Sequence, residues 1–591
     1  MYTLTQIRAA IDEAAPTPIL DEAAFRAVAE RPELAELLAG VRAEAADTAP
    51  LPELTHELYG RYVRDGDRMA YERRYFARRG RLAARAAAAL VDRRPEDLAR
   101  LDEVLWQICD EYSWCLPAHK YHADLFGRTP DLGVDLFAAE TAHTLAETVG
   151  LLRGELDPET VARVENEVRR RVLAPWLDDI RPQHWETMTN NWSAVCAGAA
   201  GMAALWLDEG EPRRLTGIID RAQRAMAVFR SGFEADGGCP EGLSYWVYGY
   251  GYFVYFADAL RARTGLDMLP ETAAIAAFPA VVDFGEGRCV SFSDGGEDAW
   301  VPTGLASHLN ARLGTTVPEL TGVPDFAADH CHRWAHLSRN LLWTDPELIG
   351  RRGPDRRDYL PDLAWVVDRS TVDGVRIGFA AKGGHNAEPH NHNDLGHFLL
   401  YCGGEQLLAD LGAGLYDKSY FSPQRYDSIY PSAEGHSVPV IDGAVQQPGR
   451  DREAVVLAHR DTGEGVHFAL DLSAAYDIEG SFTRVLDWWS TGELSIRDRF
   501  TTAGLPLVER FVSRVEPALG DGIIVWRGEH GQATLTYAAE HFTATADRIE
   551  TVDHHENPDV VHRLHLTGTT AAEHSLTITL EVFDGEILEE S

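Results

Sequence analysis

The run "GGHNAEPHNHNDLGHFLLY", residues 383 to 401, carries four histidines, three asparagines, one glutamate and one aspartate ahead of an apolar stretch. His390 and His392 are two positions apart. On an extended backbone both imidazoles would project to one face, where they could share a metal ion or divide between an ion and a substrate. Downstream, Asp410 in "LLADLGAG" and His436 in "EGHSVPV" complete a His392, Asp410, His436 set of nitrogen and oxygen donors. Such a set suits a divalent ion, zinc first, with manganese or calcium as alternatives, and water or another ligand in the remaining position. A single strand histidine is more often a hydrogen-bonded residue without chemistry, and an aspartate shortly before a glycine often only ends a strand. Density tips the balance, because so many polar groups are costly to half-bury without mutual satisfaction or an ion. His554 and His555 in "DHHENPD" lack that setting and read as solvated loop.

Two further stretches could handle a polar substrate. "TMTNNWSAVCAG" sets Asn190, Asn191 and Trp192 ahead of a small-residue helix, and "DGGCPEGLSYWVYGYGY" places Glu241, Tyr245, Trp246 and Tyr248 in a loop entering an aromatic helix. Taken singly, each reads as an asparagine cap beside an aromatic core. Taken together, amides beside Tyr and Trp also describe a sugar-binding cleft.

The elements that must position these groups fall into two kinds. Residues 1 to about 340 are rich in Ala, Leu, Arg and Glu at helical spacing, as in "YERRYFARRGRLAARAAAALVD" (71 to 92) and "PRRLTGIIDRAQRAMAVFRSGF" (212 to 233). Helices with short connections suggest stacked hairpins, open as a solenoid or closed as a toroid. From about 365 onward, twelve short β-rich runs, from "LAWVVDRS" to "SLTITLEVF", are bounded by turn residues with no amphipathic helix between them. An antiparallel β-sandwich is the economical reading. The expected domains are therefore 1–345 and 365–591, with a division of the second near 500 also considered, as befits 591 residues.

Composition narrows the function. With 45% hydrophobic, 25% charged and 9% aromatic residues the chain is that of a folded protein. Its formal net charge of −38 disfavours nucleic acid or an anionic membrane as partner, while leaving room for a polyanion in a locally basic cleft. Seven scattered cysteines without a CxxC pair argue against a disulfide framework or a thiolate zinc site. The longest apolar run, "AVCAGAAGMAALWL", is shorter than the roughly 20 residues of a membrane span. No secretory signal is visible, so the expectation is a soluble protein, either cytoplasmic or secreted or periplasmic with its signal removed. A homo-oligomer is compatible with all of this.

"NNWSAVCAGAAGMAAL", "DGGCPEGLSYWVYGYGY", "FSDGGE", "AKGGHNAEPHNHNDLGHFLLY", "LLADLGAGLY" and "YFSPQRYDSIYPSAEGHSVPVIDG" resemble the successive motifs of the heparinase II/III-like superfamily of polysaccharide lyases. An "LPAH" element, Leu116 to His119, and "DLFAAETA", Asp135 to Ala142, add to the likeness, which runs from about 100 to 450. The resemblance implies an N-terminal (α/α) toroid followed by a C-terminal antiparallel β-sandwich, with the active site in the cleft between them. It implies β-elimination on a uronate polymer, a glycosaminoglycan such as hyaluronan, chondroitin sulfate or heparan sulfate, or alginate. Removing the C5 proton builds charge on the uronate carboxylate, so the site must neutralise that group, supply a base and protonate the departing C4 oxygen.

By motif, Asn191 resembles the amide that neutralises the carboxylate, with Asn190 its neighbour and substitute. Tyr245 resembles the tyrosine that protonates the leaving oxygen and, for one epimer, removes the C5 proton. His390 resembles the histidine that assists neutralisation or acts as base. His392, Asp410 and His436 match the family's metal set. Several relatives carry a histidine beside the catalytic asparagine, whereas this chain has Asn190, Asn191, Trp192, which favours tyrosine-only syn elimination. Substrate contacts are expected at His119, Lys120, Glu241, Trp246, Arg425 and Tyr426, the cations among them, with Lys382, meeting the polyanion. A hydrolase on the same scaffold, with Glu241 and Asp236 as its only obvious carboxylates, and a non-catalytic carbohydrate-binding protein are the alternatives.

Overall fold

The computed structural model describes residues 1–13, 17–120, 132–178, 181–208 and 210–583. The chain forms two compact units. One comprises residues 1–233, 245–276 and 300–350, the other 234–244, 277–299 and 351–591. The first is helical and the second is built of antiparallel sheets. Two short excursions, 234–244 and 277–299, thus join the sheet unit although they lie within the helical half of the sequence.

In the helical unit, the expected helices at 71–92 and 212–233 are found at Met69–Val91 and Pro212–Arg230. Asp135 starts the buried helix Leu136–Leu152 by accepting the Ala138 N–H at 2.8 Å, and its other oxygen takes the Leu116 N–H and the His119 ring, so one aspartate also ties down the "LPAH" turn. Helix Asn191–Leu207 begins at its cap Asn190, whose side chain accepts the Trp192 N–H. Small residues let this helix pack closely, since a Cβ on Gly198 would come within 2.9 Å of the Tyr252 carbonyl oxygen. The run "SYWVYGYGY", expected as a loop, is already helix from Leu243 to Thr264. Its Gly249 is there for packing, because a Cβ would meet the Asn191 backbone at 3.0 Å. All seven cysteines are buried and unpaired, as expected. No helix among the described residues is long and apolar enough to cross a membrane.

In the sheet unit, each of the twelve expected runs forms a strand. A five-stranded sheet runs Arg356–Leu360, Trp365–Val372, Val375–Lys382, Phe398–Cys402 and Glu405–Leu408. A nine-stranded sheet includes Gly449–Asp461, Gly465–Asp471, Phe482–Trp489, Glu493–Phe500 and His574–Val582, and a four-stranded sheet is centred on Pro506–Ser513 and Pro558–Thr569. Their inner residues form one core, with Val366, Phe379 and Leu400 facing Phe468, Leu486, Trp488 and Ile496, and Phe379 stacking on Trp488 at 5.2 Å. That core is continuous from Ala364 to Leu580.

The excursions are anchored by chemistry. Phe284 stacks on Tyr401 at 5.1 Å, Arg369 pairs with Asp283, and Phe292 packs edge-on to Trp365. Ser293 donates to the Pro240 carbonyl at 2.8 Å. These contacts bring Glu241 and Asp294 into the same unit as the histidine run.

Candidate functional site

The backbone around the histidines is not the strand that the spacing suggested. His390 occupies a turn with φ +56°, in the left-handed region where a non-glycine residue is strained, and the next strand begins at Phe398. The two imidazoles are brought together instead by a shared partner, Asp294. His390 Nδ1 lies 2.6 Å from Asp294 Oδ2 and His392 Nε2 lies 3.0 Å from Oδ1.

His392, Asp410 and His436 converge as expected, and Asp394 joins them. Each offers one donor atom, and these atoms lie within 4.8 Å of one another, all on buried residues. Among the described residues, several of their polar atoms have no hydrogen-bond partner: His392 Nδ1, Asp394 Oδ2, Asp410 Oδ2 and both His436 nitrogens. Orphaned, buried, oppositely polarised donors of this kind fit a divalent cation, and the two-nitrogen, two-oxygen set suits zinc. Burial alone would raise the Asp410 carboxyl, but His436, His397 and His392 around it hold it below the ordinary range, and burial lowers the His392 imidazole against the hydrogen bond and charge of Asp294. Asp394 escaped the spacing argument, although it stands two residues after His392 in the quoted run. Its Oδ1 also receives Lys382 Nζ at 2.9 Å.

The loops carrying these groups are tightly held. Asp410 Oδ1 accepts the Gly412 N–H at 2.9 Å, which leaves Oδ2 for the cluster. Gly412 has φ +66°, and a Cβ there would sit 2.1 Å from the Gly295 carbonyl oxygen, so "LADLGAG" and "FSDGGE" fit together only through glycine. His397 accepts the Ser437 N–H at Nδ1, and its Nε2 lies 3.4 Å from Asp410 Oδ2, which gives a role in the cluster to a histidine that had none. Beneath them, buried Arg484 donates to the carbonyls of Gly396 and Ser437.

Beside the cluster, Glu241 is buried, with Oε2 at 3.4 Å from His390 Nε2, and burial raises its carboxyl, with His390 opposing in part. Arg425, expected to meet a polyanion, instead donates to Asp294 Oδ1 at 2.8 Å and lies over the Tyr420 ring. Tyr426 accepts from the Asn391 amide at 3.1 Å. His554, read as solvated loop, packs against Tyr416 with ring centroids 4.2 Å apart, and its Nδ1 meets the Gly414 carbonyl at 3.1 Å. Asp236 is occupied as a turn former, accepting the N–H groups of Gly238 and Asp362.

In the helical unit, Asn191 is 3% exposed in the first turn of its helix, and Asn190 serves as the cap. Tyr245 is half-buried in the first turn of Leu243–Thr264. Trp246, one residue on, corrects an expectation. It is 1% exposed and its indole N–H donates to the Ile275 carbonyl at 2.7 Å, so it belongs to the core and has no face for a sugar. His119 is likewise paired, with Asp135 at 2.8 Å and Arg68 at 3.1 Å, and Lys120 lies over the Tyr59 ring.

No protein-family model and no curated protein matches the chain. Solved structures do. A heparinase III superposes with a TM-score of 0.62 at 13% identity, covering 98% of this chain and 88% of its own. Heparan sulfate lyase HepC from Pedobacter heparinus gives 0.56 at 12% identity, covering 93% and 88%. The Streptomyces coelicolor A3 chondroitin AC lyase, in complex with chondroitin sulphate, gives 0.52 at 12% identity, covering 98% and 82%. The chain therefore has the fold of these proteins, an N-terminal helical toroid followed by C-terminal antiparallel sheets.

Proposed function

We propose that the protein is a polysaccharide lyase that cleaves a uronate-containing glycosaminoglycan by β-elimination. The observation that carries this reading is the likeness of fold, over nearly the whole chain, to lyases of heparan and chondroitin type. The lyase motifs quoted from the sequence support it independently of the fold.

In the mechanism, the Asn191 amide donates hydrogen bonds to the uronate carboxylate, lowering the cost of the charge that grows there as C5 loses its proton. Tyr245 as phenolate takes the C5 proton, the C4–O bond breaks, and a C4–C5 double bond forms. The same phenol then returns a proton to the departing C4 oxygen, so the residue ends as it began. His390 would assist that neutralisation or act as a base. A free phenol titrates near about 10, so the base role needs an environment that favours phenolate. His392, Asp394, Asp410 and His436 would hold a divalent ion, which when bound supplies fixed positive charge that organises these loops. Glu241, Tyr426, Asn190 and Lys120 are the remaining candidates for substrate contact.

The hydrolase alternative is weakened, because Asp236 is occupied as a turn former. The deciding experiment incubates the protein with hyaluronan, chondroitin sulfate, heparan sulfate, heparin and alginate and follows the ultraviolet absorbance of the unsaturated uronate product. Tyr245→Phe should lower turnover by about 10²-fold or more while the protein stays folded. Reducing ends without that chromophore would mean hydrolysis, and wild-type turnover in the variant would end the assignment of Tyr245.

A further inference from the structure

Asp294, in "FSDGGE", carries no role in the scheme so far, yet its carboxylate is 4% exposed by residue and accepts five hydrogen bonds. Oδ1 receives His392 Nε2 at 3.0 Å, the Tyr420 hydroxyl at 2.7 Å and the Arg425 guanidinium at 2.8 Å. Oδ2 receives His390 Nδ1 at 2.6 Å and the Tyr416 hydroxyl at 2.9 Å. A carboxylate ringed by a guanidinium and two phenols can only accept, so each imidazole nitrogen facing it carries the hydrogen. A neutral imidazole has one N–H. In the neutral forms the lone pair then falls on Nε2 of His390 and on Nδ1 of His392, opposite nitrogens in two residues separated by one position. His392 Nδ1 is among the buried atoms without a protein partner. His390 Nε2 lies on the side of Glu241, 3.4 Å away.

We infer that Asp294 is a positioning residue shared by both functions of the site. It fixes opposite tautomers in His390 and His392, so that one presents Nε2 as a proton acceptor and the other presents Nδ1 to a divalent ion. The same contact is made from the left-handed backbone of His390, at φ +56°. Loss of Asp294 should therefore damage ion binding and proton handling together, although it touches neither ion nor substrate. The His390 half rests on the proposed lyase reaction, and the His392 half does not.

The test is Asp294→Asn, which keeps the shape and removes the charge. Zinc affinity, read by competition with a chromogenic chelator and without any activity assay, should fall by about 10- to 100-fold, as for other partners of metal-bound histidines. With zinc restored to saturation, kcat on a cleaved polymer should stay depressed by at least about tenfold while KM changes by less than about threefold. Tyr420→Phe, which removes one neutral donor from Asp294, should leave zinc affinity near wild type. Should D294N fail to fold, ¹⁵N spectra of the wild-type histidine side chains decide the matter, with His390 protonated at Nδ1 and His392 at Nε2. The same tautomer in both residues, unchanged zinc affinity in D294N, or full kcat in zinc-saturated D294N would each overturn the inference. If no polymer is cleaved, the lyase reading fails, while zinc affinity and the tautomers still test Asp294.

Discussion

The helix that carries Tyr245 is clamped one turn on by a buried acid, and that clamp should titrate near neutrality. Tyr248 donates to Glu140 Oε1 at 2.5 Å, and Arg333 lies 3.5 Å from the same oxygen and over the Tyr248 ring at 4.1 Å. Burial pushes the Glu140 carboxyl up from 4.5 to about 7, against the charge of Arg333 and the hydrogen bond from Tyr248, with Asp329 and Asp135 adding to the rise. An acid whose folded value lies above its unfolded one holds its proton more tightly when folded. Its stabilising contribution is complete below about 4.5 and is lost as pH rises through about 7. At about 1.4 kcal/mol per pH unit, the loss is about 3 kcal/mol. Glu140→Gln mimics the protonated form, so the variant should match wild type below about pH 4, lead it by somewhat under about 1 kcal/mol at pH 5, and exceed it by about 3 kcal/mol above pH 8. Urea unfolding of both proteins across this range, read from the helical signal, measures the difference. Parallel curves, or a wild type that gains stability relative to the variant as pH rises, would refute the reasoning.

Gly412→Ala should cost about 2 to 5 kcal/mol, because it adds a left-handed strain to a 2.1 Å clash with the Gly295 carbonyl, whereas Gly443→Ala at φ +76° has open space and should cost about 1 kcal/mol. Equal shifts of the two melting temperatures would disprove the close approach of those loops. Arg425→Met should lower kcat by similar factors at low and high salt, since Arg425 is bound to Asp294 and does not steer a polyanion. A KM defect that vanishes at high salt would restore it as a steering charge. For the wild type, kcat/KM on a polyanion should stay flat or rise between about 10 and 150 mM salt, as screening relieves repulsion from a chain of net charge −38, and a steep fall would point to an unpaired basic groove.

Much of the fold was legible because it is written in periodicity. Alternation in "ELSIRDRF" predicts a strand, and Glu493–Phe500 is one, with every second residue buried. Glycines misled where they serve packing, as in "YGYGY", which is helix because Gly249 must lie against Asn191. Within the site, His392, Asp410 and His436 could be grouped because their side chains suit a single ion. Asp394 was missed because a carboxylate two residues past a ligand looks like any turn aspartate. Trp246 was misassigned because an aromatic residue next to Tyr245 on a helix points to a different side, here into the core.

The cations show most clearly where one-dimensional reading stops. A sequence reveals that Arg425, Lys382 and His119 are basic, and a polyanion invites the conclusion that they meet it. In the folded protein each has a carboxylate within 2.9 Å: Asp294, Asp394 and Asp135 respectively. Arg79 is similarly bound to Glu111 and Arg333 to Asp329. Buried charges must be paired, so the more deeply a basic residue is built into a site, the less of its charge remains for a ligand. In the proposed lyase reaction, recognition of a uronate carboxylate would then fall to neutral donors such as the Asn191 amide. That suits elimination, since hydrogen bonds that shorten as charge grows at C5 favour the transition state over the bound substrate, whereas a preformed ion pair would bind both. The paired arginine and aspartate are not wasted. Arg425 fills an acceptor on Asp294, and Asp294 holds the two histidines, so the charge that pairing withholds from a ligand goes into arranging the groups of the site.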